Sequence, residues 1–489
     1  MRYRVLSIFV LLTALSMARP SYGYDLKKQV SEFSLPNGMK WLVVRRPGAP
    51  VFSGIVMVRT GGADEQKGKS GIAHMFEHMA FKGSSRLGTS DWSKEQPILE
   101  KMQEAGDELT ELRNSKDKEK TAELTRELAR LSHEADKYEV KNEVWEVMMR
   151  NGAHDLNAYT SKDITAYHAS MPASRLEFWA RVIAEMVFDP ALREFYTERS
   201  VVSEERRTSV ENSPEGALAE KLLSSAFKDG PYGWSTVGFD DDVSGLTIAD
   251  ARAFHERNYV PSNMTGVIVG DVTLSQVKSV MMRAFGRFPA SPRPQGPSTS
   301  GTPVGGISVK MHFDAAPAVA IAFHKPTLPD KAEYSFDVMT SLLCDGRSSR
   351  LEKRLIYEEH IAKDVYCTDG YPGSRLPNLF MIWVEPLKGA SLSRIVRSLD
   401  EELGRLRTEP VSEAELERVR KQVTASFMYD LDSNADLAEA LARFETIFGD
   451  WKLLADYPSR IAEVDAAEVM STSNKYLTDD NRVTVERVK

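Results

Sequence analysis

The five residues His74-Met75-Phe76-Glu77-His78 constrain this chain more than any other stretch, because they place two imidazoles and a carboxylate on one predicted helix. Residues four apart lie on the same face of an α-helix, so His74 and His78 can hold a single metal ion. Glu77 lies beside them, within reach of a water on that ion. The pattern H-x-x-E-H is the inverted form of the H-E-x-x-H motif, and it predicts a hydrolytic zinc site.

The residues around the motif support a short helix with one apolar face. Ile72, Met75 and Met79 recur at helical spacing, and Gly83 follows as a helix stop. A second interpretation stays open, in which the two histidines satisfy polar groups in the core and the glutamate faces solvent. The zinc interpretation requires a third ligand, because hydrolytic zinc sites have three protein ligands and leave a position for water.

The best candidate for that ligand lies in the segment 196–207, which reads as a long helix. Glu198 and Glu205 are seven residues apart and share one helix face. Val201 and Val202 lie between them, which predicts that this face points inward, whereas Glu204 is turned by about 100° and is expected to face solvent. We assign Glu205 as the third ligand and Glu198 as a carboxylate that supports the ligands, with an ordinary surface acid as the alternative for Glu198.

The first 23 residues read as a secretory leader. Arginines precede a mostly apolar run from Val5 to Met17, and small residues follow near Gly23. The run is too short to span a bilayer, so we predict a leader at 1–23 on a periplasmic or secreted protein, with a retained anchor as the alternative. No other apolar stretch approaches spanning length, and no stable membrane anchor is expected in the mature chain.

Charge and cysteine content narrow the class of protein. The formal charge is −8, and removal of residues 1–23 takes away three arginines and no acid, which leaves −11. An acidic surface argues against nucleic acid as a partner. The chain has two cysteines, so a disulfide framework does not hold the fold together. Cys344 and Cys367 can form one disulfide or remain as two buried thiols.

The order of the predicted elements indicates an α+β fold with two similar domains. We expect a zinc-bearing domain at 24–288, a linker rich in Pro, Ser, Thr and Gly at 289–306, and a second, structurally similar domain at 307–489. Each half begins with strands, continues into a helix and later returns to strand. Each domain is therefore predicted to contain a mainly antiparallel sheet covered by helices.

Several strands are expected near the motif and at the start of the second half. One is predicted at 51–58, just before the motif helix, and a pair at 156–160 and 164–168. In the second half, strands at 307–313 and 318–323 precede a helix. The two halves therefore place strands and the first long helix in the same order.

The segment 92–140 carries two apolar seams of matching rhythm. Spacings of four and three residues link Ile98 to Leu112, and the same spacing returns between Leu124 and Tyr138 after a polar stretch. This pattern predicts a helical hairpin inserted in the first domain, because two such seams can face each other.

These motifs together resemble the pitrilysin–insulinase family of zinc peptidases, particularly its shorter bacterial and mitochondrial-processing-like members. The resemblance covers nearly the whole mature chain, and its most specific parts are the zinc motif and the downstream helix with Glu198 and Glu205. The shorter matching segments are Asn157-Ala158-Tyr159-Thr160-Ser161, Pro261-Ser262-Asn263-Met264 and Gly346-Arg347-Ser348-Ser349-Arg350-Leu351.

The resemblance implies two similar α+β domains that form half of a clam-shell, with one Zn²⁺ per chain in the first domain. Peptide substrate would be enclosed when a second half closes over it, which makes a homodimer or a heterodimer with a second family member the expected assembly. The resemblance also implies that Asn157, Ala158 and Tyr159 lie on an edge strand that pairs with the substrate backbone. A plain sheet strand is the alternative for this segment.

Two features depart from the family pattern. The gap from His78 to Glu205 is 127 residues, which exceeds the usual gap by about the length of the hairpin, so the insertion is expected to leave the site intact. The family usually has an arginine and a tyrosine in the second domain that contact substrate. The corresponding positions here hold Ile356 and Lys363, so the pair is missing, and a partner chain could supply it.

The sequence therefore predicts a zinc-dependent endopeptidase or oligopeptidase that cleaves unstructured peptides by metal-activated water. Glu77 would act as general base, taking a proton from the water and passing it to the leaving amine. Two alternatives stay open. One is a peptide-binding or scaffold subunit of a heteromeric peptidase, which the absent arginine and tyrosine favour. The other is a zinc hydrolase that does not act on peptides.

Overall fold

The computed structural model describes residues 26–489, and the predicted leader at 1–23 lies outside them. The strands are β1 (Val30–Ser34), β2 (Lys40–Arg45), β3 (Val51–Val58), β4 (His154–Thr160), β5 (Thr165–Pro172), β6 (Phe227–Lys228), β7 (Met264–Gly270), β8 (Thr302–Pro303), β9 (Ile307–His312), β10 (Ala318–Lys325), β11 (Ala362–Tyr371), β12 (Asn378–Pro386) and β13 (Arg482–Val488).

The same part of the chain contains α-helices throughout both halves. They are α1 (Leu26–Gln29), α2 (Ile72–Ala80), α3 (Trp92–Glu111), α4 (Lys118–Ala135), α5 (Glu143–Arg150), α6 (Leu176–Phe188), α7 (Phe195–Arg206), α8 (Pro214–Ala226), α9 (Asp240–Ser244), α10 (Ile248–Asn258), α11 (Leu274–Ala284), α12 (Ala332–Cys344), α13 (Leu392–Thr408), α14 (Glu413–Tyr429), α15 (Asn434–Phe448), α16 (Lys452–Glu463) and α17 (Ala466–Tyr476). Among residues 26–489, no helix has the length and apolar character needed to cross a membrane.

The two sheets share one topology. The first has the strand order β1-β2-β7-β3-β5-β4, and the second has the order β11-β12-β10-β13-β9. In each, the first strand of the shared set pairs in parallel with the last, β2 with β7 and β9 with β13, and the other pairs are antiparallel. The prediction of an α+β chain with two similar, mainly antiparallel domains is confirmed.

The strand before the motif helix is apolar on both faces because both faces are covered. Seven of the eight residues of β3 are buried, and Val56 and Ile55 belong to separate cores on opposite faces of the sheet. Gly54 lies under the ring of Trp179, where an added Cβ would come within 2.6 Å of the ring. The continuous apolar run at 51–58 is therefore typical of a central strand.

The sheet of each domain is covered on one face by a helix from the other domain. The outer face of the first sheet is covered by α15 of the second half, through Leu437 and Leu441. In return, α8 of the first half covers the second sheet, where Leu218 and Leu222 pack on the alanines of β10. The first domain therefore lacks a complete core without the second.

Buried charges tie the domains together next to the motif helix. Arg375, in the second half, pairs with Asp64 at 2.9 Å, and both side chains are nearly inaccessible. Asp163, in the turn between β4 and β5, accepts hydrogen bonds from the backbone amides of Ser374 and Arg375. The turn beyond the predicted edge strand is consequently held by the second domain.

The inserted segment forms the expected hairpin. Helices α3 and α4 pack along each other, and Ile98, Leu131 and Ala135 form a small core of their own. A short helix that the sequence reading missed, α5, follows the hairpin. The two cysteines, left open above, are joined in a disulfide between the end of α12 and β11, with Cα atoms 5.6 Å apart.

Candidate metal centre

The motif residues lie on α2, which follows β3 after a loop. This helix starts behind Gly71, whose φ of +88° is a left-handed conformation that favours glycine. The buried carboxylate of Glu65 accepts hydrogen bonds from the amides of Gly71 (2.9 Å) and Ala73 (3.0 Å), and so satisfies free donors at the helix N-terminus. Burial raises the pKa of Glu65 to about 7.

The three predicted ligands lie close together. His74 Nε2 lies 3.6 Å from one carboxylate oxygen of Glu205, and His78 Nε2 lies 3.7 Å from the other. One ligand atom from each residue falls within a group no wider than 4.8 Å. Ligand atoms about 2.1 Å from a tetrahedral zinc ion are about 3.4 Å apart, so this donor set fits zinc in both chemistry and spacing.

The two imidazoles are held differently. Burial is the main cause that lowers the pKa of His74 to about 4, and the nearby His78 lowers it further, so the His74 ring is neutral at pH 7 and able to bind a metal. The rings lie edge to face with their centroids 4.9 Å apart. His74 Nδ1 is buried without a hydrogen-bond partner in the described part of the chain, so no carboxylate there orients this ring as Glu198 does that of His78.

The predicted supporting carboxylate contacts the second histidine. Glu198 Oε2 lies 3.1 Å from His78 Nδ1, so a proton on Nδ1 is donated to the carboxylate and Nε2 keeps its lone pair for a metal. The hydrogen bond from His78 and the neighbouring Lys82 lower the pKa of Glu198 to about 2. The same contact with Glu198 raises the pKa of His78. The structure therefore gives Glu198 the geometry of an orienting group.

Glu77 lies on the same helix, half-buried beside the ligands. Burial raises the pKa of its carboxyl group, and a hydrogen bond with Thr160, the last residue of β4, partly offsets this. A raised pKa makes this carboxylate a stronger base, which suits it to accept a proton from a water in the site. Because Thr160 is the last residue of β4, its hydrogen bond places the end of this strand next to the candidate base.

The helix that carries the third ligand differs from the prediction in one respect. Val202 is buried, as an inward residue should be, but Val201 is 46% exposed and the side chain of Glu205 is 42% exposed. The prediction that Val201 faces inward is wrong, because this face of α7 borders the open side of the site. Glu204 is exposed and pairs with Arg207, as expected of a solvent-facing neighbour.

The segment proposed for substrate binding forms the outermost strand of the first sheet. Asn157 is exposed, Ala158 is buried, and Tyr159 is half-buried with its hydroxyl donating to Glu439. In the described part of the chain, β4 pairs with β5 on one side and with no strand on the other. An extended peptide can therefore add to the free edge of β4.

The positions where the family has its arginine and tyrosine serve other purposes here. Ile356 packs against the core of the second domain. Lys363 is exposed at the start of β11 and pairs with Glu385 at 2.8 Å. Neither side chain offers the contacts to a substrate that the family pair is expected to make.

Sequence reasoning missed two groups that support the site. Glu65 caps α2 from a position six residues upstream, and no pattern in the sequence connects the two. Lys82 contacts Glu198 at 2.6 Å and Glu194 at 2.7 Å. Its position four residues after His78 is a signal that helical spacing could have identified.

Comparison with known proteins agrees with this geometry. The family model described as "Insulinase (Peptidase family M16)" matches residues 42–110 and 113–239, which include all three ligand positions. The model described as "Peptidase M16 inactive domain" matches residues 245–423. The chain belongs to the M16 family. The M16 match thus places the candidate metal centre in the insulinase part and most of the second half in the part described as inactive.

Individual relatives of this M16 chain are distant but cover it almost completely. Zinc protease PqqE of Helicobacter pylori is 25% identical over 97% of this chain and 96% of its own length. The probable mitochondrial-processing peptidase subunit beta of Arabidopsis thaliana is 23% identical over 91% of this chain and 76% of its own length. The crystal structure of a protease from Helicobacter pylori matches with a TM-score of 0.78 at 24% identity, over 94% of this chain and 99% of that one, which supports the fold.

Proposed function

We propose that this M16 chain is a zinc-dependent endopeptidase or oligopeptidase that cleaves unstructured peptides. The observation that carries the proposal is the convergence of His74 Nε2, His78 Nε2 and a Glu205 oxygen within 4.8 Å. Glu77 lies beside this group, and Glu198 orients one of the imidazoles. One Zn²⁺ per chain is the proposed cofactor.

The proposed ligands, His74, His78 and Glu205, would hold the ion. Zinc in this position supplies Lewis-acid polarisation of a peptide carbonyl and of the attacking water. Glu77 accepts the proton of the water and delivers it to the nitrogen of the leaving amine. Burial raises the pKa of the Glu77 carboxyl group and so makes it a stronger base for the first of these steps.

The free edge of β4 is the proposed binding place for the substrate backbone. Asn157, Ala158 and Tyr159 lie on this edge, and Thr160 at its end contacts Glu77. A peptide that pairs with β4 would therefore present its carbonyl groups next to the base. A folded protein cannot supply a free extended segment, which is why unstructured peptides are the proposed substrates.

The second candidate function is a peptide-binding or scaffold subunit of a heteromeric peptidase. Ile356 and Lys363 favour it, because neither can replace the substrate contacts of an arginine and a tyrosine. In either case we propose that the working form is a homodimer or a heterodimer with a second family member, which would close the open side of the site.

We propose a periplasmic or secreted location. The leader predicted at 1–23 and the disulfide between Cys344 and Cys367 support it, because disulfides persist in oxidising compartments.

The test is to purify the chain without residues 1–23 and to measure its mass in solution, bound zinc and cleavage of an unstructured peptide together. The endopeptidase proposal predicts one zinc per chain and cleavage by the purified protein. Zinc with cleavage that appears only after a second family member is added would support the subunit instead. Absence of zinc from the folded protein under zinc-replete conditions would rule out the zinc-dependent peptidase.

A further inference from the structure

The guanidinium group of Arg193 connects the inserted hairpin to the chain just before α7. Its side chain is 1% exposed and that of Glu95, on α3 of the hairpin, is inaccessible. Arg193 Nε donates to Glu95 Oε1 at 2.6 Å, and Nη2 donates to Glu95 Oε2 at 3.0 Å. The pair is therefore bidentate and completely enclosed.

The remaining donors of Arg193 hold the loop that leaves the motif helix. Nη1 donates to the carbonyl oxygens of Lys82 (3.0 Å) and Leu87 (3.1 Å), and Nη2 donates to that of Ser84 (2.9 Å). Since α2 ends at Ala80, these carbonyls belong to the loop that follows the helix. One side chain thus fixes the exit of α2 and the entry of α7 relative to each other.

Two glycines in this loop make room for the guanidinium. Gly83 and Gly88 have φ of +89° and +84°, and a Cβ at either position would lie 3.0 Å from Arg193 Nη1. The loop conformation and the position of the arginine therefore depend on each other.

A chain of contacts leads from this arginine to the ligands. Lys82, whose carbonyl binds Arg193, places its ammonium group 2.6 Å from Glu198, and Glu198 contacts His78 at 3.1 Å. Glu194, the residue after Arg193, contacts the same ammonium group at 2.7 Å. A shift of Arg193 would be transmitted to the carboxylate that orients His78.

The hairpin contacts α7 further along the helix as well. The Tyr196 hydroxyl donates to Asp107 at 2.7 Å, and Arg199 donates to the hydroxyl of Thr110 at 3.0 Å. Gly106 lies within helix α3, and a Cβ there would come within 2.1 Å of the Tyr196 ring. Glycine inside a helix is destabilising, so this one is explained by the close approach of the ring.

A buried ion pair is weak evidence of stabilisation, because the cost of desolvation offsets much of the attraction. The five N–H donors of Arg193 link the chain before α7 to the hairpin and to the loop after α2. Stabilising a hydrophobic core would not require such a link. We propose that the inserted hairpin is a positioning element, in which Glu95, acting through Arg193, holds α7 against the exit of α2 and so keeps Glu198 and Glu205 at the distances from His78 and His74 that a metal requires. The inference rests on the proposed zinc function and assigns a role to the insertion.

The test compares Glu95→Gln with Glu127→Gln, a control in the same hairpin whose carboxylate is exposed and pairs with Arg130. Zinc affinity is measured by chelator competition well below the melting temperature of each variant. Hydrogen exchange of the α7 amides, 195–206, is measured after zinc has been removed by chelation. Glu95→Gln is expected to weaken zinc binding about 10- to 100-fold, the range found when groups that orient metal ligands are lost, and to speed exchange in α7. Glu127→Gln is expected to change neither.

A lower melting temperature for Glu95→Gln with unchanged zinc affinity and exchange would overturn the inference, since a merely structural pair gives that result. If Glu95→Gln does not fold, Tyr196→Phe removes one hairpin contact and is expected to weaken zinc binding about fivefold, the worth of one hydrogen bond. Unchanged affinity in that variant would also overturn the inference. Failure of the unsubstituted protein to bind zinc would instead refute the proposed function, and faster exchange in Glu95→Gln would still support the positioning role.

Discussion

The two halves of the chain build the same sheet and then use the same helix position for different purposes. Helix α2 follows β3 as α12 follows β10, and counted from the first helical residue both have phenylalanine in the fifth place. The third, sixth and seventh places hold His74, Glu77 and His78 in the first half. In the second half they hold Tyr334, Asp337 and Val338, so an acid remains but the ligands do not.

The second half contains a cation of its own at this place. Lys325, the last residue of β10, is inaccessible and lies 2.5 Å from Glu333 and 2.7 Å from Asp369. Asp337 is half-buried nearby, and desolvation raises its pKa well above the usual range. The hydroxyl of Tyr457 contacts Asp337. Lys325 therefore offsets part of the charge of Glu333 and Asp369, and the raised pKa of Asp337 favours its uncharged form.

The difference teaches where this fold locates its chemistry. Both halves gather acidic groups between the first long helix and the edge of the sheet. The first half leaves that place partly exposed, with the side chain of Glu205 at 42%, and supplies neutral imidazole nitrogen. The second half instead encloses a lysine, whose ammonium group pairs with two of its acids. We infer that the first half carries the reaction and that the second half has a structural role. Each half still depends on the other, because a helix of each covers the sheet of the other.

The largest difference in activity between matched substitutions in the two halves is expected at the sixth residue of α2 and of α12, which are Glu77 and Asp337. Glu77→Gln should lower kcat by about 10²- to 10⁴-fold while zinc stays bound, because the base is lost and the ligands remain. Asp337→Asn, the matched change in the second half, should leave kcat within about twofold, since an amide resembles the protonated acid. Both are measured by steady-state peptide cleavage, with zinc content as the check.

A Glu77→Gln variant with full activity and bound zinc would remove the base from the mechanism. A large loss of kcat in Asp337→Asn, at unchanged melting temperature, would show that the second half takes part in the chemistry.

The next largest effect is expected on stability, when the buried Lys325 is replaced. Lys325→Met removes the charge between two buried acids and should lower the free energy of unfolding by about 3–5 kcal/mol, the usual cost of leaving a buried charge unpaired. Lys310→Met, which removes an exposed lysine 3.8 Å from Glu486, should cost less than about 1 kcal/mol. Denaturant unfolding measures both. Equal stability of the two variants would contradict the structural role of Lys325.

A smaller effect is expected in the pH dependence of stability. Burial and the neighbouring Asp369 raise the pKa of Glu333 from its ordinary value of 4.5 to about 7. Between these values the folded chain binds a proton that the unfolded chain has lost, so the free energy of unfolding falls as pH rises, by up to about 1.4 kcal/mol per pH unit. Glu333→Gln should flatten this slope between pH 5 and 7, as measured by denaturant unfolding. A slope as steep as that of the unsubstituted protein would contradict the assignment.

Local patterns in the sequence predicted much of the fold. The strand at 51–58, the hairpin and the paired strands after it all appear, because alternation and helical spacing report which face of an element is buried. The exchange of α8 and α15 between sheets was not predictable in this way. Spacing shows that a helix has an apolar face, but it does not show which sheet that face covers.

The site was predictable to a similar degree. The spacing of Glu198 and Glu205 placed both carboxylates on one helix face toward the histidines, yet the exposure of Val201 depends on how open the site is. The contact of Glu95 with Arg193 joins residues 98 positions apart, and single charges in a sequence do not indicate their partners. Such long-range pairs depend on tertiary packing.

The central claim is that the chain holds one zinc ion, in the first half. The most direct test is zinc content after dialysis against zinc-free buffer, for the unsubstituted protein, Glu205→Ala and Glu204→Ala. Glu205 is a proposed ligand, whereas its neighbour Glu204 is exposed and pairs with Arg207. We expect one zinc per chain in the unsubstituted protein and in Glu204→Ala, and none in Glu205→Ala. Zinc retained by Glu205→Ala, or a second ion in the unsubstituted protein, would contradict the account.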